Sequence, residues 1–140
     1  MENSHGIQVL VIEDDQYFAQ VLRDILEVKG CVATCVTNAD AGLRLLTEIQ
    51  PNIVFCDINL PGEMSGLDFA RRIRAMPSFA NVALVAISGA APYADGTARS
   101  AFDMTLRKPV KFAELSKAID AYSVAGKRTP MRPIPPSKAD

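Results

Sequence analysis

Several features that define whole classes of protein are scarce or missing in this sequence. It has three cysteines in 140 residues. Cys31, Cys35 and Cys56 form neither a paired framework nor a zinc-ligand pattern, so we expect buried, reduced thiols. No apolar run approaches the length of a membrane span, and the polar residues 1–6 lack the apolar core of a signal peptide. These absences argue against a disulfide-stapled, zinc-bound or membrane-spanning protein and favour a cytoplasmic one.

The sequence has almost no excess of charge of one sign, since the formal net charge is only -1. Residues 126–140 are nevertheless basic, with four Lys or Arg residues and the single acid Asp140. The rest of the chain therefore carries a net charge of about -4 by subtraction. Four prolines lie in the same stretch. Such a composition buries too little surface to order itself. We expect a Pro-rich tail there, and no nucleic-acid surface in the folded part.

The most informative stretch is the short apolar run Ile53–Asp57, which ends on a carboxylate. Proline and asparagine precede it and Pro61 follows it, which is typical of a strand buried on both faces of a parallel sheet. Asp57 then lies at the carboxyl end of that strand. In an open α/β sheet ligands bind at this end, because helices cover both faces. A rigidly held, partly desolvated carboxylate there is suited to act as a nucleophile.

The rest of the chain alternates strand and helix patterns around this run. We predict strands at residues 8–12, 32–36, 53–57, 82–88 and 104–106, and helical spacing of apolar residues after each strand, with Asn38 as an N-cap and Arg71, Arg72 and Arg74 facing solvent. Residues 89–100 are loop-like and leave room only for a short helix. Parallel strands joined by helices predict a (βα)5, doubly wound α/β domain. We place it at residues 7–125, between a polar leader at 1–6 and the tail at 126–140.

Polar side chains end four of these strands. If the strand order is 2-1-3-4-5, Glu13, Asp14 and Asp57 share one crevice. Carboxylates packed together repel one another, which raises at least one pKa unless a cation lies between them. Mg²⁺ is the natural cation, with Asp14 and Asp57 as direct ligands, Glu13 reaching through water and the main-chain carbonyl of Asn59 completing the shell.

Two further strand ends supply a lysine and a hydroxyl. Lys108 follows the fifth strand and Ser88 ends the fourth. Around one aspartate, a metal and a lysine would neutralise developing phosphoryl charge, while a hydroxyl would donate to a phosphoryl oxygen. The set therefore favours formation of an acyl phosphate on Asp57.

These residues occur in four short motifs, namely VLVIEDD, FCDINLPG with Gly66 behind it, AISGA and RKPV. Together and in this order they resemble the receiver domain of two-component response regulators, in particular the single-domain, chemotaxis-regulator-like kind, over residues 7 to about 123. The resemblance implies the flavodoxin-like strand order 2-1-3-4-5. It also implies Asp57 as phosphoacceptor, Asp14 as principal Mg²⁺ ligand, Ser88 as switch hydroxyl, Lys108 as the phosphoryl-sensing cation and a cis Lys108–Pro109 peptide.

The resemblance also implies partners. The phosphoryl donor would be a sensor histidine kinase or a histidine phosphotransfer protein, and the output would be a contact with a downstream protein or a homodimer. The chemistry of the receiver domain itself would be limited to self-phosphorylation and self-dephosphorylation, so we do not expect this protein to be an enzyme. One departure is Thr105, where the family usually carries an aromatic residue. We expect the phosphorylation chemistry to be retained and the relay from serine to aromatic to be altered.

Other functions remain open from the residues. The chain fits a stand-alone regulator, or a receiver module of a hybrid histidine kinase or of a longer regulator. Asp57 followed by Asn59 is faintly similar to haloacid-dehalogenase phosphatases, which need a second carboxylate two positions after the nucleophile. A flavin-binding flavodoxin fits the fold, but the loop after the first strand is acidic where that family binds a phosphate.

Overall fold

The sheet of this computed structural model has five parallel strands, in the order β2-β1-β3-β4-β5. The structure describes residues 6–89 and 101–122. The strands are β1 (Gln8–Ile12), β2 (Val32–Val36), β3 (Ile53–Asp57), β4 (Ala83–Ser88) and β5 (Met104–Arg107). The predicted fold and strand order are confirmed. Because β1 is flanked by β2 and β3, the order reverses beside the ends of β1 and β3, where a ligand crevice is expected.

Four helices connect or follow the strands within the described residues, namely α1 (Gln16–Val28), α2 (Ala39–Ile49), α3 (Gly66–Arg74) and α4 (Phe112–Tyr122). Their first turns are fixed by side chains. The Asp15 carboxylate accepts from two backbone N–H groups of α1, Asn38 accepts from one N–H of α2 as predicted, and Ser65 forms a reciprocal capping box with Asp68 at α3. Each cap satisfies donors that have no partner within the helix, and so fixes where the loops above the sheet end.

The core consists of two apolar clusters, one on each face of the sheet. Alternate strand residues such as Leu10, Val54 and Leu84 pack with α2 and α3, and a short 3₁₀ turn at Pro77–Phe79 closes that side. The residues between them, such as Val11 and Phe55, pack with α1 and α4 on the other face. β3 is buried along its whole length. This double coverage holds the end of β3 rigidly and leaves the strand ends as the accessible crevice.

Three details differ from expectation. β4 begins at Ala83, one residue later than predicted, and β5 continues to Arg107, one residue further than predicted. Cys35 is only half-buried, whereas Cys31 and Cys56 are buried. The prediction that Arg74 faces solvent is wrong, because its guanidinium group pairs with the buried carboxylate of Asp103 at 2.7 Å and its side chain is 14% exposed.

The polar leader at 1–5, the region of the expected short helix at 90–100 and the tail at 126–140 lie outside the described residues. The domain limits of 7 and 125 therefore stay predictions. Within residues 6–89 and 101–122, every helix is too short or too polar to cross a membrane.

Candidate functional site

The carboxyl ends of β1 and β3 bring three carboxylates together. Glu13 and Asp14 directly follow β1, and Asp57 is the last residue of β3. One oxygen from each of Glu13, Asp14 and Asp57 lies within 4.8 Å of the others. Glu13 and Asp57 are buried, whereas Asp14 is exposed. The three acids predicted from the sequence thus share one crevice with an open side at Asp14.

Glu13 is held inside the fold rather than in solvent. Its backbone N–H donates to the carbonyl of Val36 at 3.0 Å, which extends the pairing of β1 with β2 by one residue. One side-chain oxygen, Oε2, accepts from the N–H of Asp15 at 3.0 Å. The other, Oε1, lies 3.1 Å from the ammonium of Lys108. A carboxylate that is 1% exposed is therefore aimed into the crevice by the main chain and by its own loop.

Asp57 presents its two oxygens to two different partners. Oδ1 accepts from the backbone N–H of Asn59 at 2.9 Å, and Oδ2 accepts from Lys108 Nζ at 3.1 Å. The side chain is 7% exposed, so the carboxylate is nearly buried but not wholly closed to solvent. Asn59 thus contributes its N–H here, while the predicted role of its carbonyl stays a prediction.

Lys108 lies opposite the acids, directly after β5. Its backbone N–H donates to the carbonyl of Ser88 at 2.8 Å, and the Lys108–Pro109 peptide is cis, as the resemblance implied. Nζ reaches both Glu13 Oε1 and Asp57 Oδ2 at 3.1 Å. Burial lowers the pKa of Lys108, but the contacts with Asp57 and Glu13 outweigh burial and raise it overall. The ammonium therefore stays charged at neutral pH.

Two influences raise the pKa of Glu13 and two lower it. Burial raises the pKa of Glu13 most, and the neighbouring Asp57 raises it further. The N–H of Asp15 and the ammonium of Lys108 lower it, and the balance is a pKa of about 7. The direction agrees with the expected effect of crowded carboxylates, but burial is the larger cause and the neighbouring Asp57 the smaller one.

Ser88 and Thr105 belong to the neighbouring strands. Ser88 is buried at the end of β4, and the N–H of Ile58, just past Asp57, donates to the carbonyl of Ile87 beside it. This bond fixes the loop after β3 against the end of β4. Thr105 is exposed in β5 and pairs in register with Ala86. The position at which the resemblance implied an aromatic residue thus has a small, exposed side chain here.

Gly66 explains how the loop after Asp57 can fold so closely over β3. Its N–H donates to the carbonyl of Ile58 at 2.9 Å. A Cβ atom on Gly66 would overlap the carbonyl oxygen of Asp57 and lie 2.8 Å from Cα of Ile58. Both are main-chain atoms and cannot swing away. A glycine is therefore required behind Asp57, where the sequence motif has one.

Sequence reasoning missed one side chain at the site. Phe18 is an apolar residue in the first turn of α1 and was not predicted to lie at the site, yet Lys108 Nζ lies over its ring, 4.9 Å from the centroid. The signal in the sequence is its place in the first turn of the helix that follows the acidic loop. A helix that begins beside the crevice necessarily brings its first turn near the site.

The donor set can hold a metal ion. Glu13, Asp14 and Asp57 offer hard carboxylate oxygens of the kind that divalent magnesium and calcium bind. Glu13 Oε1 is buried and has no hydrogen-bond partner among the described residues, although the Lys108 ammonium is near. A buried, charged oxygen without an aligned donor is suited to a cation or to a water bound by one.

Comparisons with known proteins agree with this geometry. The family model of the response regulator receiver domain matches residues 9–120. The chain is 32% identical over 127 residues to an uncharacterised 14.6 kDa protein of Leptolyngbya boryana, covering 89% of this chain and 96% of that protein. It is 30% identical to the DNA-binding response regulator MtrA of Mycolicibacterium smegmatis over 81% of this chain and 49% of that protein. The chain thus spans about half the length of MtrA.

Solved structures show the same fold. A CheY-like receiver domain from Methylobacillus flagellatus superposes with a TM-score of 0.77 and 31% identity, covering 84% of this chain and 98% of that one. The receiver domain of a signal transduction histidine kinase from Syntrophus aciditrophicus gives 0.75 at 23% identity, covering 89% and 95%, which bears on the fold alone. From the matched residues and the crevice together, the chain belongs to the response regulator receiver domain family.

Proposed function

We propose that the protein is a phosphoacceptor in a two-component phosphorelay and that Asp57 receives the phosphoryl group. The observation that carries this is the carboxylate of Asp57, buried at the end of β3 and held 3.1 Å from the ammonium of Lys108. The donor would be a phosphohistidine on a sensor histidine kinase or a histidine phosphotransfer protein. The signal would leave through contacts with a downstream protein, and possible homodimerisation stays a prediction.

The chemistry is an in-line displacement at phosphorus. A carboxylate oxygen of Asp57 forms the new O–P bond while the P–N bond to the donor imidazole breaks, and the imidazole nitrogen takes up a proton. Lys108 pairs with a phosphoryl oxygen as its contact with Asp57 Oδ2 is given up, and the hydroxyl of Ser88 donates to another oxygen. The N–H of Asn59 keeps the other Asp57 oxygen in place.

The crevice fits Mg²⁺ as the cofactor. Asp14 and Asp57 would be direct ligands, Glu13 would reach the ion directly or through water, and the carbonyl of Asn59 would complete the shell. When bound, Mg²⁺ would neutralise charge on the transferring phosphoryl group. Its charge would also oppose the burial and the neighbouring Asp57 carboxylate, which together raise the pKa of Glu13.

A second candidate is a receiver module that works within a larger protein. It is favoured by the match to MtrA, of which this chain spans 49%. The chemistry at Asp57 would be the same, and the output would pass to an attached domain. The length of the native open reading frame distinguishes a stand-alone regulator from a module of a larger protein.

We propose that this chemistry is confined to the protein's own phosphorylation and dephosphorylation. Residue 59, two positions after Asp57, is an asparagine, so the second carboxylate that haloacid-dehalogenase phosphatases need is missing at that position. Turnover of a generic phosphate ester would support the phosphatase alternative instead.

Phosphorylation with a small donor tests the proposal. The protein is incubated with phosphoramidate and Mg²⁺, and its intact mass is measured together with that of Asp57→Asn. We expect a single added phosphate on the unaltered chain, and none on the variant or when Mg²⁺ is chelated. A folded protein that takes up no phosphate, or a variant that is phosphorylated as fully as the parent, would refute the assignment.

A further inference from the structure

The ammonium of Lys108 has a third partner that is not an acid. Nζ lies 3.1 Å from Glu13 Oε1 and from Asp57 Oδ2, and it also lies over the ring of Phe18, 4.9 Å from the centroid. An ammonium within about 6 Å of a ring centroid is attracted by the negative face of the ring. The side chain of Lys108 is 28% exposed, so part of this contact is shielded from water.

The ring itself is fixed in place by α1. The backbone N–H of Phe18 donates to Oδ1 of the N-cap Asp15 at 3.2 Å, which holds the residue in the first turn of the helix. Its side chain packs against the apolar cluster on the α1 and α4 face of the sheet. The platform under Lys108 is thus anchored to the helix and to the core, independently of the acids.

This independence matters because the two ionic contacts of Lys108 are with groups that change during the reaction. A cation bound by the acids weakens the attraction of Glu13 and Asp57 for the ammonium, and an acyl phosphate on Asp57 occupies the oxygen that Lys108 contacts. The ring of Phe18 has no charge to be neutralised. Its attraction for Lys108 therefore persists when both ionic contacts are weakened.

We propose that Phe18 is a positioning residue that holds the Lys108 ammonium over the crevice through its ring face, ready to meet the incoming phosphoryl group. This inference rests on the proposed function of Asp57. Without the ring, a lysine whose ionic partners are neutralised swings toward solvent. Phosphoryl transfer then starts from a population in which the cation is misplaced.

The first test separates the ring's electrostatics from its shape. Ring-fluorinated phenylalanines are placed at position 18, because added fluorines weaken the negative ring face and change the volume little. The rate constant of phosphorylation by phosphoramidate with Mg²⁺ is expected to fall steadily with fluorination, by about threefold to tenfold overall. Phe18→Leu should fall by a similar factor. The same series at Phe79, in the cluster on the other sheet face, is the control and should leave the rate unchanged.

The second test needs neither phosphorylation nor metal. A ring under an ammonium shifts the NMR signals of the neighbouring ε-methylene group upfield, so this shift is expected for Lys108 in the metal-free protein and should vanish in Phe18→Leu. The signals of Lys29, which pairs with Ser116 and Asp120, should not move.

The outcomes are distinguishable. Rates that stay constant through the fluorinated series, even with a slower Phe18→Leu, would show a packing role and overturn the inference alone. Absence of the Lys108 shift would overturn it as well. An unaltered protein that takes up no phosphate would refute the proposed function, and this inference with it.

Discussion

Replacing Arg74 with alanine should remove about 3–5 kcal/mol from the free energy of unfolding, which is the usual cost of breaking a buried ion pair by deleting one partner. Arg74 ends α3, and its guanidinium donates to Asp103 Oδ2 at 2.7 Å. It also donates to three main-chain carbonyls, those of Ala80, Val82 and Ala101, at 3.0, 2.7 and 2.9 Å. One side chain thus joins α3 to the segments that lead into β4 and β5.

The magnitude follows from what remains after the deletion. The carboxylate of Asp103 is 0% exposed as a side chain, and the N–H of Leu84 donates to the same oxygen at 2.8 Å. Among residues 6–89 and 101–122, that N–H replaces only part of the stabilisation that the guanidinium gives this buried carboxylate. Because single domains are stable by about 5–15 kcal/mol, the loss is a large share of the total. The three carbonyl contacts do not add to this figure as separate amounts, because interactions that share one side chain are not additive.

Urea unfolding followed by circular dichroism measures this loss, since the chain has no tryptophan to serve as a fluorescent probe. Arg71→Ala and Arg72→Ala are matched controls on the same helix turn, because both side chains are exposed and should change stability by less than about 0.5 kcal/mol. Arg74→Lys should lose less stability than Arg74→Ala and more than the two controls, since an ammonium keeps the charge but lacks the planar group that reaches several acceptors. A loss below about 1 kcal/mol for Arg74→Ala, or equal losses for the controls, would refute the reasoning.

Three further predictions concern the site. Gly66→Ala should lower the free energy of unfolding by about 1–3 kcal/mol and slow phosphorylation of Asp57, because the added Cβ meets main-chain atoms. Urea unfolding measures the first effect and intact mass the second. A variant with unchanged stability and rate would contradict the close packing at Gly66. With metal chelated, the free energy of unfolding of the unaltered protein, compared with that of Glu13→Gln at each pH, should fall by up to about 3 kcal/mol as pH rises from 4.5 to 7. The reason is that the raised pKa of Glu13 lets the folded state hold a proton that the unfolded chain has already lost. A difference between the two proteins that does not change with pH would contradict the shift. The phosphoryl group on Asp57 should not be unusually long-lived, since Asn59 is exposed beside it; persistence for hours at neutral pH by intact mass would count against this.

The strands and the acid cluster could be predicted because their signals are local. Apolar runs bounded by turn residues mark β1 and β3, and parallel strands place their ends at one edge, which brings Glu13 and Asp57 together. Asn38 could be recognised as a cap because its partner lies three residues away. These features need only short-range spacing and the strand order.

What the sequence did not show depends on partners far along the chain. Arg74 follows Arg71 and Arg72 in a polar run, and its low exposure of 14% depends on contacts such as the one with Asp103, 29 residues later. Phe18 fits the apolar spacing of α1 equally well whether or not a lysine lies over its ring. The burial of Glu13 likewise depends on its backbone bond to Val36, at the end of the neighbouring strand. No local pattern encodes such pairings.

Chemical mapping of the phosphoryl group shows directly whether Asp57 is the residue that accepts it. The protein is phosphorylated with phosphoramidate and Mg²⁺, treated with borohydride, which reduces an aspartyl phosphate to homoserine, and digested for peptide mass spectrometry. We expect homoserine at position 57, with Asp14 and Glu13 unchanged and no conversion without the phosphoryl donor. Conversion at another carboxylate, or a phosphate that survives as a stable ester on a hydroxyl, would contradict it.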